Sequence, residues 1–125
     1  MQGLHLTADL RQCACDPLWL TDATRLGERC VQLVQMAGLQ AVAQLSHGFP
    51  PTEFGPSGVT ATVLLAESHL CVHTWPEQAA VTLDVYVCNF GGDHSAKAQA
   101  LLDGLISLFA AGEIQRHELN RGSLA

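Results

Sequence analysis

Residues 59–88, VTATVLLAESHLCVHTWPEQAAVTLDVYVC, hold three β-branched-rich runs, 59–66, 70–75 and 79–88, joined by connections of only a few residues. Such runs suit a pleated surface, and links this short allow only antiparallel pairing of neighbours. In the third run Val81, Leu83, Val85 and Val87 alternate with Thr82, Asp84, Tyr86 and Cys88, which predicts one buried face and one more polar face carrying Cys88. The junction between the first two runs, AESHL at 66–70, and the end of the second, HTWPE at 73–77, are far richer in reactive groups than two hairpin connections require.

Upstream, GLHLTADL (3–10) alternates as a first strand, with RQCACDP as its exit loop. Leu26, Cys30, Leu33, Val34 and Ala37 then recur at helical spacing, with Thr21 or Asp22 as cap and Gly38 as stop. LQAVAQLSH (39–47) predicts a second strand, and GFPPTEFGPSG (48–58) a long exposed loop. Downstream, NFGGD is a turn, and Asp93 or Ser95 caps a helix striped by Leu101, Leu102, Leu105, Ile106 and Phe109 and closed by Gly112. EIQRHEL (113–119) is a last edge strand and NRGSLA a frayed tail. The order β-α-β-β-β-β-α-β predicts an α+β two-layer sandwich, an antiparallel sheet with two helices on one face. The other face, with its Thr, Tyr, Cys and Asp, calls for a partner subunit or a ligand.

Composition narrows the function. The 125 residues, 48 % of them hydrophobic, predict one domain over 1–125. Twelve acidic against six basic residues leave no electrostatic footprint for nucleic acid or an anionic membrane, so a small molecule is the expected partner. The apolar runs fall well short of the roughly 20 residues of a membrane helix. MQGLHLTADL lacks the basic and apolar regions of a secretory signal, and five irregularly spaced cysteines read as free thiols. Both point to a cytoplasmic protein.

Taken singly, Ser68 and His69 read as turn residues, His73 and Trp75 as strand residues, and Cys88 as buried filler. Their combination, AESHL, HTWPE and a cysteine closing the next strand, resembles the prokaryotic S-adenosylmethionine decarboxylase family of self-processing, pyruvoyl-dependent enzymes. The resemblance implies a proenzyme that cuts itself between Glu67 and Ser68 into 1–67 and 68–125, with Ser68 becoming a covalent pyruvoyl group that forms a Schiff base with the substrate. It implies His73 as the processing base, Thr60 as a processing hydroxyl where the family usually has serine, and Cys88 as proton donor in catalysis. It further implies Phe54 and Glu77 as contacts to adenine and ribose, and no metal. The product would be the aminopropyl donor for spermidine synthesis. QAA at 78–80 departs from the family's aromatic-rich turn, so substrate contacts there are expected to differ.

Spacing adds a constraint of its own. Five residues of straight strand between Ser68 and His73 span about 16 Å at about 3.3 Å each, so the two cannot touch within one strand. Together with the family's interfacial sites, this predicts a homodimer packed sheet to sheet in four layers. Ser68 and Cys88 would come from one chain, and Thr60, His73 and Glu77 from its mate. Alternatives are a pyruvoyl-dependent arginine or ornithine decarboxylase on the same scaffold, and a non-catalytic regulatory paralogue. A thiol enzyme with Cys88 as nucleophile and His73 as base lacks any marked oxyanion hole. Cys13-Ala14-Cys15 has the wrong spacing for a zinc knuckle.

Overall fold

The computed structural model describes residues 1–122. In chain order the elements are β1 (Gly3–Cys13), α1 (Leu18–Thr21), α2 (Ala23–Met36), β2 (Ala43–Gly48), β3 (Val59–Leu64), β4 (His69–Trp75), a 3-10 turn (Pro76–Gln78), β5 (Ala80–Cys88), α3 (Ser95–Phe109) and β6 (Ala111–Arg121). Among the described residues the strands form one antiparallel sheet in the order β2-β3-β4-β5-β1-β6. The predicted meander β3-β4-β5 is its centre, and the first strand inserts between β5 and the last. No helix among the described residues is long and apolar enough to cross a membrane.

The alternation seen in the sequence decides which face is covered. Val81, Leu83, Val85 and Val87 of β5 join Leu6 and Leu10 of β1, Val59 and Val63 of β3, and Leu70 and Val72 of β4 in the core. Against them α2 packs Leu26, Cys30 and Val34 over β2 and β3, while α3 packs Leu101, Leu102, Leu105 and Phe109 over β1 and β5. Residues of opposite phase, including His5, Thr62, Cys71, Asp84 and Tyr86, stand on the uncovered face, half-buried by one another.

Several boundaries differ from the sequence reading. β1 continues through Arg11 to Cys13, because β6 supplies partners for both, so the exit loop starts only at Ala14. The short α1 was not foreseen; the Asp16 side chain accepts from Leu18 N, and Asp22, not Thr21, caps α2 by accepting from Arg25 N at 3.0 Å. The second strand begins at Ala43, since the chain from Gly38, at φ +82°, is still closing α2 through Leu39 N to Val34 O. Helix α3 ends at Phe109, where Ala110 takes the left-handed conformation (φ 46°), and Gly112 already lies in β6. Asp93 accepts from Ser95 N at the start of α3, which holds its carboxyl below the usual range. Of the anticipated tail, Asn120 and Arg121 belong to β6; residues 123–125 lie outside the described residues.

One buried polar side chain ties three elements together. Thr74, 5 % exposed, donates its hydroxyl to Leu20 O of α1 at 2.7 Å and accepts from Val59 N of β3 at 2.8 Å. Replacing it by valine keeps the shape but strands a buried donor and a buried acceptor. Thr74→Val is expected to lower stability by about 2–4 kcal/mol, read from the urea midpoint at unchanged slope.

Candidate active site

The link between β3 and β4 is a two-residue hairpin turn. Leu65 N donates to Ser68 O at 2.8 Å, Ser68 N donates to Leu65 O at 3.2 Å, and Ala66 has φ 61°. Positive φ at the first central position is the geometry that favours glycine, so alanine there is held against its preference. The turn projects Glu67 outward and leaves Ser68 half-buried beside the end of β5. There the Ser68 hydroxyl oxygen accepts from Cys88 N at 2.9 Å.

A cavity of about 340 Å³ opens at this corner, lined by Leu65, Glu67, Ser68, Cys88, Phe90 and His94. His94 was not singled out from sequence. Its backbone N–H donates to the Asn89 side chain, and its Nε2 lies 3.2 Å from Phe90 O. A carbonyl only accepts, so Nε2 carries the hydrogen and the opposite ring nitrogen, shut off from solvent, is left without a partner among the described residues.

A second cavity, about 550 Å³, lies toward the other end of β4 beneath the loop 49–58, with Phe49, Phe54, Thr60, His73, Trp75 and Glu77 in its wall. Thr60 and His73 are register partners, and Thr60 Oγ1 is hydrogen-bonded to His73 Nδ1 at 3.0 Å. His73 stands 6.2 Å, ring to ring, from Trp75. Phe54 is 92 % exposed, an aromatic face with nothing packed on it. Glu77 falls in the 3-10 turn after Pro76, which ends at Ala79 with φ 48°. Gly58 is required here, because a Cβ would sit 2.0 Å from the Thr74 carbonyl oxygen.

The candidate residues therefore fall into two groups at the two ends of β4. Glu67, Ser68 and Cys88 share one cavity; Phe54, Thr60, His73 and Glu77 share another; neither cavity contains members of both groups. Between them, on the uncovered face, His5 is hydrogen-bonded to Asp84, the Tyr86 ring lies 5.9 Å from His5 and 5.8 Å from His69, and Arg121 places its guanidinium 5.2 Å from the Tyr86 ring centre. Strand alternation puts His69 and Tyr86 on one face, but only the β1-β5 register reveals that His5 joins them.

The thiols differ sharply. Cys30, fully buried under α2, is pushed up to about 12 by burial, and burial raises Cys13 to about 11, whereas Cys88 is half-buried at the cavity wall. Burial disfavours the Cys30 thiolate and shuts the sulfur off from reagent, so iodoacetamide is expected to label Cys88 well before Cys30 on peptide mapping. Equal labelling would contradict the packing of α2.

The S-adenosylmethionine decarboxylase family model matches residues 4–122 of this chain. Similar proteins include S-adenosylmethionine decarboxylase proenzymes of Aquifex aeolicus, 38 % identical over 96 % of this chain and 81 % of the relative, and of Pyrococcus furiosus, 33 % identical over 96 % and 78 %. The crystal structure of the adenosylmethionine decarboxylase from Aquifex aeolicus superposes with a TM-score of 0.80 at 31 % identity, covering 98 % of this chain and 92 % of that one.

Proposed function

This chain belongs to the S-adenosylmethionine decarboxylase family, and from that premise we propose that it is a cytoplasmic proenzyme that cuts itself between Glu67 and Ser68 and then decarboxylates S-adenosylmethionine. The names of its relatives support this substrate over arginine or ornithine, and an enzyme over a regulatory paralogue.

The observation that carries the processing step is the hydrogen bond from Cys88 N to the Ser68 hydroxyl oxygen. By accepting there, the hydroxyl keeps its own hydrogen free for a base. Its oxygen attacks the Glu67 carbonyl carbon, the amide nitrogen leaves, and an ester replaces the peptide bond. Loss of the Ser68 α-proton then expels the Glu67 carboxylate and leaves dehydroalanine, which takes up water and releases ammonia to give a pyruvoyl end at residue 68. The site fits this product: cleavage opens only the two-residue turn, while the pairs from Thr60↔His73 to Leu64↔His69 still hold β3 to β4. Once formed, the pyruvoyl ketone supplies the electron sink for loss of carbon dioxide, which no amino-acid side chain offers.

Position supports the remaining roles. Cys88 lines the Ser68 cavity and places its thiol where it can serve as the proton donor to the substrate's α-carbon. Thr60 fixes the His73 ring through Nδ1, and the role of base takes the tautomer in which Nδ1–H donates to Thr60 Oγ1 and Nε2 keeps its lone pair. Exposed Phe54 offers a ring face for adenine, and Glu77 an acceptor for the ribose diol. Because His73 and Ser68 share no cavity, the base for one chain's Ser68 is assigned to a second copy, the two uncovered sheet faces packing together in a four-layer homodimer.

Intact mass under denaturing conditions tests both parts. Wild type is expected as two fragments, 1–67 and a pyruvoyl-bearing 68–125, and Ser68→Ala as a single inactive chain; an active, uncut Ser68→Ala would refute the mechanism. Ser68→Ala and His73→Ala should each stay uncut alone. Co-expressed, they should yield cut His73→Ala chains, because the mixed dimer contains one site with both groups. If the site lies within one chain, the mixture stays uncut.

A further inference from the structure

Self-cleavage between Glu67 and Ser68, the reading on which this inference rests, creates a charge that the precursor lacks. The Glu67 main chain ends in a carboxylate, while residue 68 loses its nitrogen as ammonia and carries no compensating cation. That new anion forms at an exposed turn beside the Ser68 cavity, and it must leave the reacting face for substrate to enter.

A third cavity, about 450 Å³, adjoins the turn on the uncovered-face side and is lined by Glu67, Ser68, His69, Tyr86, Arg121 and Gly122. Arg121 reaches it by a built path. Gly3 is the register partner of both Cys88 and Arg121, so the Cys88 end of β5 and the arginine lie two strands apart, roughly 10 Å, and the Ser68 turn at the start of β4 lies one strand further, while both Arg121 and the turn border the same cavity. Gly3 has no side chain between them, and a Cβ there would sit 2.7 Å from the Tyr86 hydroxyl. Tyr86 fills that gap, and the Arg121 guanidinium lies over its ring at 5.2 Å, directed inward from the end of β6. Among the described residues it forms no ion pair, although Arg25 and Arg116 pair with Asp22 and Asp103. The Glu67 side chain lines the same cavity and leaves it unpaired.

We propose that Arg121 is the docking site for the carboxylate that cleavage creates at Glu67, holding the cut end of 1–67 against Tyr86 and away from the new end at residue 68. A guanidinium parked on an aromatic face keeps its N–H edges free, and a carboxylate takes two of them side by side. Arg121 is thus a positioning residue for the cleaved chain end, and the attraction also favours departure of Glu67 as carboxylate in the elimination step.

The test uses the processed protein and a broad-specificity carboxypeptidase, with the mass of the 1–67 fragment followed over time. In wild type Glu67 is expected to be retained; in Arg121→Gln it should be trimmed about tenfold faster or more, with Arg121→Lys between them. Equal protection in wild type and Arg121→Gln, or equal trimming, overturns the proposal. So does a rise in KM for substrate with protection unchanged, which would give the arginine to the substrate's carboxylate instead. The zero-time spectrum separates the two levels of inference. An uncut wild-type chain removes the processing reading and the anion with it, whereas a cut chain indifferent to Arg121 removes the docking site alone.

Discussion

A β-strand cannot fold back on itself, and the arrangement of this protein follows from that limit. β4 begins immediately after the Ser68 turn and carries His73 five residues later, with the rise of the chain separating them by about 16 Å. Each end is fixed separately, Ser68 by the N–H of Cys88 and His73 by the hydroxyl of Thr60. Neither bond could be shifted toward the other without moving β4 against β3 and β5 by whole residues. A one-residue slip would turn Leu70 and Val72 out of the core. The hydrophobic pattern of the covered face therefore locks the geometry of the chemical groups on the uncovered one.

The supports of the two ends differ in kind. At the His73 end they are tight and buried. Thr74 bridges α1 to β3, Gly58 lets the loop pass against the Thr74 carbonyl, and both hold Thr60 and His73 in register. At the Ser68 end the support is a strained turn, with Ala66 at φ 61° where glycine would be at ease. Binding surfaces gain from rigidity, whereas under the proposed cleavage a peptide bond that breaks loses nothing when its turn is under tension. A cut in this turn, as proposed, would also confine the damage, since five residue pairs between β3 and β4 lie outside it.

Much of this was readable in advance because two periodicities coincide with chemistry. Strict alternation from Val81 to Cys88 announced both the covered face and the polar one, and the turn between Leu65 and Ser68 was marked by a break in β-branched residues. Thr60, His73 and Glu77 could be grouped from motif resemblance, with Phe54 named separately as an adenine contact; all four line one cavity. What stayed hidden depended on long-range register. The first strand pairs with β5 and β6, far from it in sequence, and that pairing alone brings His5 to Asp84 and Arg121 to Tyr86. Arg121 looked like tail because nothing local distinguishes a strand end from a frayed one. His94 was obscured by the glycines before it, and its place beside Cys88 depends on how α3 starts.

The uncovered face gains meaning from the same register. Its polar residues are not scattered: His5 meets Asp84, Thr62 meets Cys71 with 3.6 Å between oxygen and sulfur, and Tyr86 lies among His5, His69 and Arg121. Groups already satisfied by in-plane neighbours tolerate burial better than lone ones, since the cost of removing water falls on unpaired donors and acceptors. At the β2 edge the same face exposes Leu45 at 76 % and Leu64 at 47 %, register neighbours of Thr62 and His69. Apolar residues at the margin and self-paired polar residues at the centre suit a surface that is covered in use. A cover made by a second copy would set the imidazole from one chain against the turn of the other, which the stiffness of β4 denies to a single chain.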